Sequence, residues 1–229
     1  MLSAVLPFLN IDAGEHEDEP DELYGVAQAV SIACGGHAGD ERSMERVLRA
    51  CKAHGTRAGA HPSYEDREGF GRRELEVDAR TILESVREQC ARLARIAETC
   101  GANVAHVKAH GALYHAANRD PAIARAVVVG AREAIGDVAV VGPASGELQR
   151  AAEDAGLAFV REGFADRAMR ADGSLVPRGE QGAVITDLDA VRAQTRALVK
   201  SGVYDTLCVH GDSPGALAIA RAVREVLDE

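Results

Sequence analysis

Short apolar runs alternate along the chain with longer stretches whose apolar residues return every three or four positions, and Asp or Gly stands at most of the joins. The clearest long stretch is "DARTILESVREQCARLARIAETCG", where Ile82, Val86, Leu93 and Ile96 recur at helical spacing together with Cys90 and Cys100. Asp78 suits its start as a cap, and Gly101 suits its end because it can turn left-handed without a Cβ penalty. "DPAIARAVVVGAREAIG" follows the same grammar, with Asp120 as cap, Pro121 in the first turn and Gly136 as terminator. "GDERSMERVLRACKAHG", from Asp40 to Gly55, does so again. Between the helical stretches lie seven runs too short and too β-branched for helices: Val5 to Ile11, Ala29 to Ala33, Arg57 to Ala60, Asn103 to Lys108, Asp137 to Val141, Leu157 to Arg161 and Thr206 to Val209.

Strand alternating with helix predicts parallel pairing through right-handed crossovers. Seven such units, with no glycine fingerprint of a dinucleotide fold after the first run, point to a single α/β domain spanning 1–229: a seven-stranded parallel β/α barrel. Residues Gly163 to Asp187 carry no period and read as one long loop over the site.

In a parallel barrel the C-terminal ends of all strands meet on one face. The first run ends "NIDAGE", with Asn10, Asp12 and Glu15, and the second "ACGGHAGD", with His37 and Asp40. The third ends "GAHPSYEDREGFGRR", with His61, Arg72 and Arg73, and the fourth "VKAHGALYH", with Lys108, His110 and Tyr114. The sixth leads to "FADR", with Asp166 and Arg167, and the seventh to "CVHGDSPG", with His210 and Asp212. One histidine at a strand end is ordinarily a hydrogen-bonded structural residue, and Asp40 is equally suited to capping its helix. Four histidines at the same topological position of four strands are better explained as one site. Glu65, Asp66 and Glu68 read as solvated loop charges.

Composition narrows the partners. The net charge is -10 and aromatics make up 3% of the chain, which argues against a nucleic-acid surface. The 5 cysteines show no CxxC spacing and read as reduced, mostly buried thiols. No apolar run is long enough to span a membrane, and "MLSAVLPFLNIDAGE" has no basic region of a signal peptide, so a cytoplasmic protein is expected.

The strand-end residues fit several chemistries. Histidines beside carboxylates suit acid-base work, and Lys108 suits a developing oxyanion. The same His and Asp set can hold a divalent metal that activates water, so the metal content stays open. There is no G-x-S-x-G elbow for a serine nucleophile and no P-loop, so any ATP consumed is not held here by that motif.

The segments "IACGGHAGD", "GAHPSYEDREGFGRR", "VKAHGALYH", "FADRAMRADGSLVPR" and "CVHGDSPGA", with a looser "LNIDAGE", resemble the LamB/YcsF family in order from Leu9 to Ala216. The resemblance implies a barrel like those of glycoside hydrolases and polysaccharide deacetylases. It further implies a hydrolase of carbon-nitrogen bonds in cyclic amides: the A component of a 5-oxoprolinase, serving lactam utilization within carbohydrate or amino-acid metabolism. That role is the ATP-dependent opening of 5-oxo-L-proline or a related lactam to L-glutamate, with partner subunits B and C. On this resemblance Asp12, His37, His61, Lys108, His110, Asp166 and His210 are expected to be catalytic, and Asn10, Glu15, Asp40, Arg72, Arg73, Tyr114, Arg167, Arg178 and Asp212 to bind substrate. Asp12, His61 and His110 would position or activate water, Lys108 would polarise the oxygen, and Arg72 or Arg73 would pair with the substrate carboxylate. Ile11, Ser31, Gly36 and Ala109 depart from the family pattern, and Gly36, in place of an aromatic, is expected to enlarge the pocket. Two other readings fit the same residues: a self-sufficient metal-dependent amidohydrolase or deacetylase with its ion near Asp12, His61 and His110, and a non-catalytic paralogue.

Overall fold

A computed structural model describes residues 7–170 and 175–229. Seven parallel strands close into a barrel in chain order: β1 (Phe8–Ala13), β2 (Ala29–Ala33), β3 (Arg57–His61), β4 (Val104–Lys108), β5 (Ala139–Pro143), β6 (Phe159–Phe164) and β7 (Thr206–His210). Among the described residues eight helices lie between and after them: α1 (Asp21–Val26), α2 (Glu41–His54), α3 (Ala79–Cys100), α4 (Gly111–Arg119), α5 (Pro121–Ile135), α6 (Glu147–Asp154), α7 (Leu188–Ser201) and α8 (Ala216–Leu227). The barrel closes where β1 pairs with β7, with Asp12 opposite His210.

The local signals act as the sequence predicts. Asp40, Asp78 and Asp120 accept backbone N–H bonds at the starts of α2, α3 and α5. Gly55 and Gly101 end α2 and α3 in the left-handed conformation. β2 keeps its expected bounds, β3, β4 and β7 differ by one residue at one end, β5 lies two residues later than expected, and β1 and β6 differ most. β1 begins at Phe8 and runs on to Ala13, while Val5 and Leu6 of the expected run lie outside the described residues. β6 continues past Arg161 to Phe164, because backbone pairing to β7 carries the strand through a glutamate and a glycine that lack strand propensity. Residues 165–170 and 175–187 are otherwise irregular, with short antiparallel bridges joining Arg167 to Val184 and Met169 to Leu175.

The alternation of each strand sorts its side chains. Leu9, Ile11 and Ala13 of β1, Val107 of β4, and Leu207 and Val209 of β7 are fully buried in the apolar core. The alternate positions, Asn10, Asp12, His106, Lys108, Glu162 and Thr206, are buried too, but polar, and the Cys208 thiol lies among them. The polar set meets across the barrel lumen around Lys108, so the apolar core is the shell between strands and helices. Space in the lumen is tight: a Cβ on Gly59 would lie 2.2 Å from His106 Nε2, so the glycine in β3 is what admits a histidine from β4.

Candidate active site

Lys108, 2% exposed, occupies the centre of the lumen. Its Nζ donates to Asp12 Oδ1 at 2.8 Å and Oδ2 at 3.0 Å, and lies 3.4 Å from Asn10 Oδ1 and 3.2 Å from Cys208 Sγ. Glu162 Oε1 is 2.7 Å away, an ion pair by distance whose angles are not those of a directed hydrogen bond. Burial alone would discharge the lysine, but Asp12, Cys208 and Glu162 raise its pKa well above the usual value. Burial likewise disfavours ionised Asp12, yet His61, Lys108 and His210 hold its carboxyl far below the ordinary range. Glu162 moves the other way, raised by burial that Lys108 only partly offsets. Of the two carboxylates, Asp12 is therefore the firmly charged one.

Above Lys108 the ends of β1, β2, β3 and β4 contribute Glu15, His37, His61 and His110. The turn carrying Glu15 is shaped by Glu19, whose carboxylate accepts from the backbone N–H groups of Gly14, Glu15 and His16 at 2.7, 2.8 and 3.0 Å. Glu15 Oε1 lies 3.0 Å from His37 Nε2, 3.2 Å from His110 Nδ1 and 3.9 Å from His61 Nε2. His61 Nε2 and His110 Nδ1 are 3.0 Å apart, and His61 Nε2 is 3.5 Å from Asp12 Oδ2. The His37 and His110 rings stack with centroids 3.6 Å apart, while His61 stands perpendicular to both. Backbone carbonyls anchor two of the rings: His61 Nδ1 donates to Lys108 O at 2.8 Å, and His110 Nε2 to Phe70 O at 3.0 Å. Phe70 takes φ 54 to present that carbonyl, the sole non-glycine with positive φ among the described residues. Burial pushes His61 down to about 3 and His37 down to about 4, so both rings are neutral near pH 7. Burial disfavours ionised Glu15, yet the adjoining His110 and His37 hold its carboxyl well below the ordinary range.

The fourth histidine stands apart. His210 Nδ1 lies 3.0 Å from Oδ1 of fully buried Asp166, whose Oδ2 also accepts from His210 N at 3.0 Å and Ser213 Oγ at 3.2 Å. Burial favours the neutral ring, but Asp166 outweighs it and raises the His210 pKa. The carboxylate therefore fixes the proton on Nδ1 and leaves Nε2 for exchange. Over the mouth, Arg72 from the loop after β3 and Arg178 from the loop after β6 both pair with Asp212 from the loop after β7.

The fold thus gathers Asn10, Asp12, Glu15, His37, His61, Lys108, His110, Asp166 and His210, with Arg72, Arg178 and Asp212 at the rim. Tyr114, 4% exposed, packs against Phe164 at the side of the lumen, and burial followed by Glu162 raises its pKa well above the usual value. Three expected residues lie elsewhere. Asp40 caps α2 at the exposed surface. Arg73 pairs with Asp66, whose side chain is 3% exposed, so Asp66 is a buried partner and not the solvated loop charge expected of it. Arg167 donates to the carbonyls of Ala183 and Val176, which pins the loop after β6. Gly36 does not enlarge the pocket: a Cβ there would meet Ser63 Oγ at 2.5 Å and Gln89 Oε1 at 2.6 Å, so neighbouring side chains fill the space.

Sequence reasoning missed Glu162, Glu19, Gln89 and His106. Glu162 carries no signal of its role, because the run legible in the sequence stops at Arg161 and only pairing to β7 takes the strand on to Phe164. Glu19 and Gln89, which brackets Ser63 through both its N–H and C=O, had none. A cavity of about 790 Å³ lies at the opposite barrel end among residues that include Gln28, His54, Arg57 and Arg224, away from this chemistry. No helix among the described residues is long and apolar enough to cross a membrane.

The model of the LamB/YcsF family matches residues 9–229. A protein of Streptomyces coelicolor, named as the A component of 5-oxoprolinase, is 44% identical over 237 residues, covering 96% of this chain and 95% of its own. The crystal structure of a lactam utilization protein from Thermus thermophilus superposes with a TM-score of 0.88 at 33% identity, over 98% of this chain and 96% of that one. A GH18 chitinase from Pseudoalteromonas aurantia shares the fold alone, with a TM-score of 0.52 at 7% identity over 94% of this chain and 99% of its own.

Proposed function

The chain belongs to the LamB/YcsF family, and from that premise we propose that it is the A component of an ATP-dependent 5-oxoprolinase. It is a hydrolase of carbon-nitrogen bonds in cyclic amides, opening 5-oxo-L-proline to L-glutamate. The observation that carries this reading is the meeting of an ionised Asp12, neutral His61 and the Asp166-paired His210 at one end of a closed barrel. Opening a lactam requires an oxygen nucleophile at the ring carbonyl and a proton on the departing nitrogen. Asp12 is placed to take a proton from water that His61 helps to position. His210, whose protonated form Asp166 stabilises, is placed to deliver one to nitrogen. Lys108 Nζ donates to Asn10, Asp12 and Cys208 and pairs by charge with Glu162, so its part is to keep Asp12 charged rather than to touch the substrate oxygen. A substrate carboxylate fits the Arg72 and Arg178 pair, where it would replace Asp212.

A five-membered lactam is a stable amide, and coupling its opening to ATP hydrolysis drives the reaction to completion. With no P-loop in this chain, the nucleotide is handled with partner subunits B and C. The five cysteines are free and buried, which agrees with a reducing compartment and a cytoplasmic location. The test is reconstitution. The chain alone is expected to leave 5-oxoproline intact, and addition of the partner subunits with ATP to release glutamate; silence with every matched partner pair retires the proposal.

A further inference from the structure

We infer that His61 Nε2, His110 Nδ1 and Glu15 Oε1 form a binding site for one divalent metal ion of the zinc class. A carbonyl oxygen accepts hydrogen bonds and never donates them. The Lys108 carbonyl therefore fixes the proton of the neutral His61 ring on Nδ1, and the Phe70 carbonyl fixes that of His110 on Nε2. In its neutral form each ring keeps a lone pair on the nitrogen left over, and these two nitrogens lie 3.0 Å apart. Glu15 Oε1 completes the triangle at 3.2 and 3.9 Å. Three electron-pair donors brought so close repel one another, and a cation among them turns the repulsion into coordination.

The dimensions match. Donors held tetrahedrally at metal distances of about 2.0–2.1 Å stand about 3.3 Å apart, a spacing that the three separations bracket. The His61 and His110 rings are perpendicular and bring Nε2 and Nδ1 together, whereas the His37 ring is stacked parallel on His110. His37 instead donates from Nε2 to Glu15 and orients that carboxylate. A carbonyl behind each ligating histidine is the outer-shell arrangement that metal sites use to set tautomer and ring angle. Asp12 is the next acceptor, 3.5 Å from His61 Nε2, but Lys108 holds both its oxygens, so Asp12 borders the fourth coordination position as a base and not as a ligand. The neighbouring group of Asp12, Cys208 and His210 is no competitor, because the Lys108 ammonium already sits 3.0 Å from Asp12 Oδ2 and 3.2 Å from Cys208 Sγ.

The ion deepens the reading of this pocket and rests on it only for its role, activating water against the ring carbonyl; binding stands on the geometry. The full chain, purified without chelator, is expected to carry about one zinc-class ion by elemental analysis. After stripping, it is expected to take up one Co2+ with the visible bands of a four- or five-coordinate nitrogen and oxygen site. Glu15→Gln and His110→Ala are expected to lower Co2+ affinity at least about 10-fold, with circular dichroism unchanged, while Cys208→Ala retains it. A stripped chain that binds neither Zn2+ nor Co2+ overturns the inference and leaves a shared proton between the rings; so does a thiolate charge-transfer band, or uptake indifferent to both ligand variants. Should either variant fold poorly, wild-type stoichiometry and the cobalt spectrum decide alone. Metal uptake without glutamate release on reconstitution sinks the lactam reading and not the site, and glutamate release by a metal-free chain sinks the site and not the reading.

Discussion

Replacing Lys108 by Met would strand two carboxylates in the barrel lumen. Nζ lies 2.8 Å from Asp12 Oδ1 and 2.7 Å from Glu162 Oε1, and at an effective dielectric of about 20 each contact represents about 6 kcal/mol of gross attraction. The desolvation of a buried ammonium offsets much of this, so the expected net cost of Lys108→Met is about 3–5 kcal/mol, a fall in Tm of about 10 °C for a chain of this size. Most of that cost is the unpaired charge left behind. Glu162→Gln, which leaves Asp12 paired, is therefore expected to cost about 1 kcal/mol. The double variant is expected to be more stable than Lys108→Met alone by about 1–2 kcal/mol. The sign with pH follows. Without the ammonium, the folded carboxylates have pKa values above their unfolded ones, so stability is present below the unfolded carboxylate range and is lost as pH rises. The gap between Lys108→Met and wild type is expected to widen from about pH 5 to about pH 8. Urea denaturation followed by circular dichroism, with chelator present throughout, measures all four chains. A double variant no more stable than Lys108→Met, with a gap that ignores pH, would refute the electrostatic account and reduce Lys108 to a packing residue.

Gly59→Ala places a Cβ 2.2 Å from His106 Nε2, and overpacking of this kind costs about 1–3 kcal/mol, seen as a lower urea midpoint at unchanged slope; an unchanged midpoint would mean that β3 and β4 shift freely. Burial, followed by Lys108 and Arg57, pushes the His106 pKa from 6.5 down to about 4. Its share of stability is whole above pH 6.5 and is lost as pH falls towards 4, with a slope of about 1.4 kcal/mol per pH unit. His106→Gln is expected to flatten the acid limb of the stability curve by one proton, and an identical limb contradicts this. Asp166→Asn frees the His210 tautomer without emptying the pocket, so kcat with partner subunits present is expected to fall at least about 100-fold while KM changes little; a change confined to KM would assign the dyad to binding. Asp212→Asn loosens Arg72 and Arg178 together, and the expected readout is a lower KM for 5-oxoproline as the two guanidiniums lose their internal competitor, whereas a raised KM would make Asp212 part of the binding surface.

The chain order of strands and helices, the caps at Asp40, Asp78 and Asp120, and the placing of four histidines just past four strands are all legible in the sequence, because each signal acts within a few residues of backbone. Parallel closure follows from those elements, and it brings the histidines to one end wherever their side chains then point. Which partner each polar group takes is not legible. Lys108 meets Asp12 across 96 residues of chain, and Glu162 joins them because β6 runs three residues past Arg161. Asp40 and Arg73 read as well for the site as Asp12 does, yet one is occupied by the first turn of its own helix and the other by Asp66. The nitrogen that each histidine turns inward depends on carbonyls of Lys108 and Phe70, groups that every residue possesses and no motif records. Local periodicity and capping chemistry thus determine the scaffold and the gathering of candidates. Charge state, tautomer and pairing are decided only by burial and by distances between remote segments, since a pKa or a lone pair responds to the atoms around it and not to its neighbours in sequence.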